Sequence, residues 1–146
     1  GIKKVPSFLL IAYKNNEIIG CVGINSHIFE KHSNIFRSVE NIDLLNSTAS
    51  TTGVIVPVLS NLVVHTNYRR QGIARLLLKH IEEQVKKLNY NNIYLLVDDD
   101  NFSAQKLYLS TGYKILIDDY NSTSIGYDKQ LKTINTNAFL MSKYIL

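Results

Sequence analysis

Leu62-Val63-Val64-His65-Thr66-Asn67-Tyr68-Arg69-Arg70-Gln71-Gly72-Ile73-Ala74 carries an apolar strand into a turn with one glycine and on into a long helix. The first backbone N–H groups of a helix lack an intrahelical acceptor, and the macrodipole adds partial positive charge there. A turn through Arg70, Gln71 and Gly72 therefore suits a phosphate. Gly72 has no Cβ, so its backbone can approach a ligand closely. Arg69 and Arg70 place two guanidinium groups beside the same turn, which favours a doubly charged pyrophosphate over a single carboxylate. The turn contains neither Gly-x-x-x-x-Gly-Lys nor Gly-x-Gly-x-x-Gly, which speaks against an ordinary P-loop or dinucleotide site.

A second block lies downstream: Asn101-x-x-Ala104-x-x-Leu107-Tyr108-x-x-x-Gly112-Tyr113. With Arg69-x-x-Gly72-x-Ala74 after Leu62-Val63-Val64, it resembles, in order and separation, the acyl-CoA signature of the GNAT superfamily, the acetyl-CoA-dependent N-acetyltransferases. The resemblance implies an α/β fold, a mixed and mostly antiparallel central sheet flanked by helices, in one domain over residues 1–146. It implies acetyl-CoA as co-substrate, no metal, and direct attack of an amine on the thioester. By resemblance, Leu62, Val63, Val64, Arg69, Arg70, Gln71, Gly72, Ile73, Ala74, Asn101 and Tyr108 bind the cofactor. The strand Leu62 to Val64 carries a bulge whose backbone N–H groups hold the pantetheine arm and thioester carbonyl, with Val64 as oxyanion donor; Tyr108 protonates the departing thiolate. Family members begin with a strand and two helices before the hairpin that here starts at Ser7, so that unit is read as absent, trimmed or replaced.

Composition bounds the rest. A chain of 146 residues with 45% hydrophobic and 19% charged content is that of one ordinary globular domain. Cys21 is the single cysteine, which excludes an intrachain disulfide and fits a reducing compartment such as the cytoplasm or a plastid. No apolar run is long enough to span a bilayer, so a soluble protein without a membrane partner is expected. The net charge of +4 and pI near 9.1 raise nucleic acid as a partner, but the basic residues form no stripe with interleaved aromatics. Arg69, Arg70, Arg75, Lys79, Lys86 and Lys87 gather in and after the turn, and a phosphate-bearing cofactor accounts for them more economically.

Along the chain, Ser7 to Tyr13 and Ile18 to Ile24 read as a hairpin through Lys14-Asn15-Asn16-Glu17. Residues 30–53 read as a mobile loop with a short helix near 39–45, and Val54 to Val64 as a strand with Pro57 near its start. Ile73, Leu76, Leu77, Ile81, Val85 and Leu88 recur at helical spacing, with His80 on or near that face as a satisfied core histidine. Ile93 to Val97 is a continuous apolar strand suited to burial on both faces. A helix to Ser110 stops at Thr111-Gly112, Tyr113 to Ile117 is a strand, 118–137 a polar loop, and Ala138 to Ile145 the last strand.

Acyl transfer from a thioester to an amine needs an anchored cofactor, a donor for the developing oxyanion, and proton management. Asn101 and Tyr108 are two helical turns apart and share a face about 10 Å long, which could follow an extended cofactor arm. The competing reading is an N-cap asparagine and a core tyrosine. For the general base, the glutamate that related protein acetyltransferases place five residues before the asparagine is replaced by Leu96. Asp98, Asp99 and Asp100 could deprotonate the amine through water or attract cations, against the plain reading of a solvated turn complementing a helix dipole. His65 is a second candidate, against a turn-edge histidine. The expected acceptor is a protein or peptide amine, N-terminal or lysine. The alternatives are a small-amine acetyltransferase and a non-catalytic acyl-CoA-binding regulatory module.

Overall fold

The computed structural model describes residues 7–30, 35–38, 53–127 and 133–146. Two compact units emerge, residues 1–93 with 145–146, and residues 94–144.

In the first unit, β1 (Phe8–Lys14) and β2 (Glu17–Glu30) pair antiparallel with Lys14 opposite Glu17. Asn15 and Asn16 connect them with φ of 51° and 63°. Two consecutive left-handed residues give the turn whose twist matches the flanking strands, and asparagine tolerates that conformation. β2 runs on past Ile24. Its last residues, His27 to Glu30, pair with β3 (Ile35–Ser38) on one side and with β4 (Gly53–Val64) on the other. The loop expected over 30–53 is thus corrected at both ends. Ile35-Phe36 are β-branched and aromatic residues, and pairing satisfies the backbone groups that a loop would leave to water. The helix expected near 39–45 lies outside the described residues. Pro57 is fully buried opposite Ser26, several residues inside β4.

The pairing of β2 with β4 has one irregularity. Cys21 pairs with Val63 and Gly23 with Ser60, so two steps along β2 are matched by three along β4. That is a bulge at Asn61 and Leu62, and Asn61 takes φ of 54° to make it.

The helix α1 (Ile73–Lys87) packs against β1, β2 and β4 through Leu77, Leu78, Ile81 and Val85. Gly20 on β2 permits the close approach: a Cβ there would stand 2.9 Å from the Val63 carbonyl oxygen and 3.1 Å from Leu77 Cδ1. The buried stripe is narrower than the apolar stripe of the sequence. Leu76 and Leu88 are exposed, and Leu78 joins the core in their place. His80 is exposed too, 4.0 Å from Glu83, which corrects its reading as a core residue. Leu76 and His80 line a cavity of about 400 Å³ between β1 and α1.

β5 (Asn92–Asp98) leads into the second unit, where the strand order is β5-β7-β6. Ile93, Leu95 and Val97 are buried while Leu96 is exposed, so β5 buries one face fully rather than both. The helix α2 (Phe102–Ser110) ends at Thr111, and Gly112 follows with φ of 100°, as the Thr111-Gly112 stop predicts. β6 (Lys114–Tyr127) and β7 (Thr133–Tyr144) then pair antiparallel over most of their length. The polar loop expected over 118–137 is corrected to a long hairpin. Its serine, threonine, tyrosine and isoleucine residues suit strands, and its asparagines do not prevent the ladder.

Candidate functional site

The residues singled out by the sequence fall into two groups, one in each unit. The first begins at the bulge. Val63 is exposed and Val64 half-buried, with Val64 opposite Gly20. The Val64 carbonyl accepts from Arg69 Nε at 3.2 Å, and the next residue, His65, donates its N–H to the Ile19 carbonyl at 2.7 Å. A single 3₁₀ turn, Thr66–Tyr68, follows and hands the chain to Arg69.

Arg70 has φ of 59° and Gly72 φ of 78°, so two left-handed residues flank Gln71. The first bond of α1 runs from the Leu76 N–H to the Gly72 carbonyl at 3.0 Å, which leaves the amides of Ile73 and Ala74 ahead of the helical ladder. No side chain caps this helix end. A Cβ on Gly72 would meet no atom within 4 Å, so the space above the turn is open. Arg70, Gln71 and Gly72 are exposed at its lip. Exposed amides, a helix dipole and two arginines around an open space can receive a diphosphate, and the residues present fit one.

The second group lies on and before α2. Asn101 is the N-cap, its Oδ1 accepting from the Ala104 N–H at 3.2 Å. The cap uses the oxygen, which leaves the Nδ2 donors for a carbonyl on a ligand. Tyr108 is buried, edge-on to Tyr113 with ring centroids 5.6 Å apart. Burial pushes its hydroxyl up to about 12, so it holds its proton throughout the neutral range. Locally, then, the N-cap and core readings of these two residues both hold, and neither prevents a role toward a ligand. Asp98, Asp99 and Asp100 are exposed; the Asp98 carbonyl accepts from Gln105 Nε2 at 2.8 Å and from the Asn101 N–H at 3.1 Å. Among the described residues, no three His, Cys, Asp or Glu side chains group as a metal site would need.

His65 is exposed and its Nδ1 accepts from the Asn67 N–H at 3.1 Å, so the turn-edge reading describes it. Cys21 Sγ lies 3.4 Å from the Asn61 carbonyl, held against the bulge. The sequence reading missed the group around Tyr68. Its hydroxyl lies 3.4 Å from Glu17 Oε2, Lys14 Nζ sits 5.6 Å from its ring centre, and its ring meets His65 edge-on at 5.8 Å. These contacts join the β1–β2 turn to the segment before the cradle across some fifty residues of chain, a distance over which local pattern carries no signal.

The model of the Acetyltransferase (GNAT) family matches residues 2–113. The chain belongs to the GNAT acetyltransferase family. It is 38% identical over 58 residues to GCN5-related N-acetyltransferase 6, chloroplastic, of Arabidopsis thaliana, covering 40% of this chain and 20% of that one. It is 36% identical over 55 residues to the [ribosomal protein bS18]-alanine N-acetyltransferase of Escherichia coli, covering 38% of this chain and 37% of that one. The matched segments thus span a fifth to under two-fifths of the length of these curated relatives. A GNAT family acetyltransferase from Elizabethkingia anophelis, solved with acetyl-CoA bound, shares the fold with a TM-score of 0.66 at 20% identity, covering 94% of this chain and 76% of that one. No helix among the described residues of this GNAT chain is long and apolar enough to cross a membrane.

Proposed function

We propose that this GNAT chain transfers the acetyl group of acetyl-CoA to an amine, and that the amine belongs to a protein or peptide, at its N-terminus or on a lysine. The observation that carries the proposal is the turn 69–74: two left-handed residues, amides ahead of the α1 ladder and an open space over Gly72 form a seat for the cofactor diphosphate. Supporting the acceptor class is the likeness to the bS18-alanine enzyme. In the reaction, the amine nitrogen attacks the thioester carbonyl, negative charge gathers on the carbonyl oxygen opposite the Val64 N–H, and the C–S bond breaks. Tyr108 gives its proton to the sulfur, and the surplus proton on nitrogen leaves through water.

Leu96 favours a second reading. It stands where related protein acetyltransferases carry a glutamate, and a chain without that base fits an acyl-CoA-binding module that regulates rather than catalyses. One experiment separates the two. The protein is incubated with acetyl-CoA and a mixed panel of peptides and small amines, and products are read by mass spectrometry. Acetylated peptide N-termini or lysines support the proposal, acetylated small amines replace its acceptor class, and acetyl-CoA binding without any product moves the chain to the second reading.

A further inference from the structure

His65 holds the segment that leads into the cradle at three points. Its N–H is bonded to Ile19 on β2, its carbonyl accepts from the Tyr68 N–H at 2.9 Å, and its Nδ1 accepts from the Asn67 N–H at 3.1 Å. The last of these is a side-chain cap on the Thr66–Tyr68 turn, made by an imidazole where serine, aspartate or asparagine is usual. The segment admits little slack. Arg69 follows immediately, tied back to the Val64 carbonyl through Nε, and the left-handed Arg70 and Gly72 come within three residues. A shift in the 66–68 turn therefore displaces the amides that define the cradle.

We infer that His65 is the positioning residue of the cofactor turn, its Nδ1 cap on the Thr66–Tyr68 turn fixing the amides that receive the diphosphate. The inference rests on residues 69–74 being the CoA-binding turn, and it adds to that reading a histidine that the acyl-transfer chemistry leaves unused.

The test is calorimetric titration of CoA into the wild-type chain, His65→Ala and His65→Asn, at neutral pH, with circular dichroism melts to establish that each variant is folded. At neutral pH, His65→Ala is expected to bind CoA about five-fold more weakly, the scale of a lost cap, and His65→Asn to bind as wild type does, because its Oδ1 can accept from the same N–H. Equal affinities for wild type and His65→Ala, or failure of asparagine to restore binding, would each overturn the role of His65. A wild-type chain that does not bind CoA at all would instead overturn the reading of the turn itself.

Discussion

Gly72 and Tyr108 test the proposed chemistry separately, the first through cofactor affinity and the second through turnover. Gly72 combines a φ of 78° with open space where a side chain would stand, so Gly72→Asp would both strain the backbone and set a carboxylate against the diphosphate. CoA affinity should fall by about ten-fold or more, and calorimetry returning the wild-type value would remove the diphosphate from this turn. Tyr108→Phe keeps the ring against Tyr113 and removes the hydroxyl alone. As the acid that protonates the thiolate, Tyr108 should cost roughly 10²-fold in kcat when lost, with little change in acetyl-CoA binding. Undiminished turnover would leave it a packing residue. The same residue makes a prediction about alkaline stability. Its folded value near 12 lies above the ordinary 10.0, so folding favours the protonated form; that contribution is complete below pH 10 and is lost as pH rises toward 12. Tyr108→Phe should accordingly show a shallower loss of Tm than wild type across that window. Parallel loss in both chains would count against burial of the hydroxyl.

At the scale of elements, the seating of α1 on the sheet depends on Gly20. A methyl group there would sit 2.9 Å from a backbone carbonyl that cannot move aside cheaply, so Gly20→Ala should destabilise the chain by about 1–3 kcal/mol, read as a drop in the urea midpoint. An unchanged midpoint would mean that β2 and β4 part more readily than the packing suggests. Gly20 was invisible in the sequence, because a close approach between β2 and α1 leaves no local mark. The hairpin was legible for the opposite reason: Asn15-Asn16 between two β-branched runs is a local instruction, and both residues took the left-handed conformation it calls for. α1 was legible in extent but not in face. Its apolar positions exceed the surface that the sheet offers, so Leu76 went to solvent and Leu78 inward, which spacing alone could not decide. The hairpin of β6 and β7 was missed because asparagine-rich text suggests turns, while a paired strand satisfies its backbone whatever the side chains. In the candidate site the turn into α1 could be read from Gly72, whereas the left-handed Arg70 and the cap from His65 could not, since neither residue type prefers those roles.

Over the whole molecule, charge would act on the two proposed substrates in opposite senses. A net charge of +4 favours approach of an anionic cofactor and disfavours approach of a cationic amine. Asp98, Asp99 and Asp100 are the local exception, three exposed carboxylates in succession from the last residue of β5 to the Asn101 cap. Their proposed role is to raise the concentration of a protonated amine near the site, without any one of them accepting its proton. Steering acts on encounter, and ions screen it over about 10 Å at 0.1 M salt. Replacing all three with asparagine should therefore raise the acceptor KM at low ionic strength, with the difference from wild type shrinking as salt is added, while kcat at saturation stays nearly constant. A proton acceptor behaves differently, because its removal slows the bond-making step for substrate already bound. A loss concentrated in kcat and indifferent to salt would reject steering and make one of these aspartates the base whose usual position is occupied by Leu96.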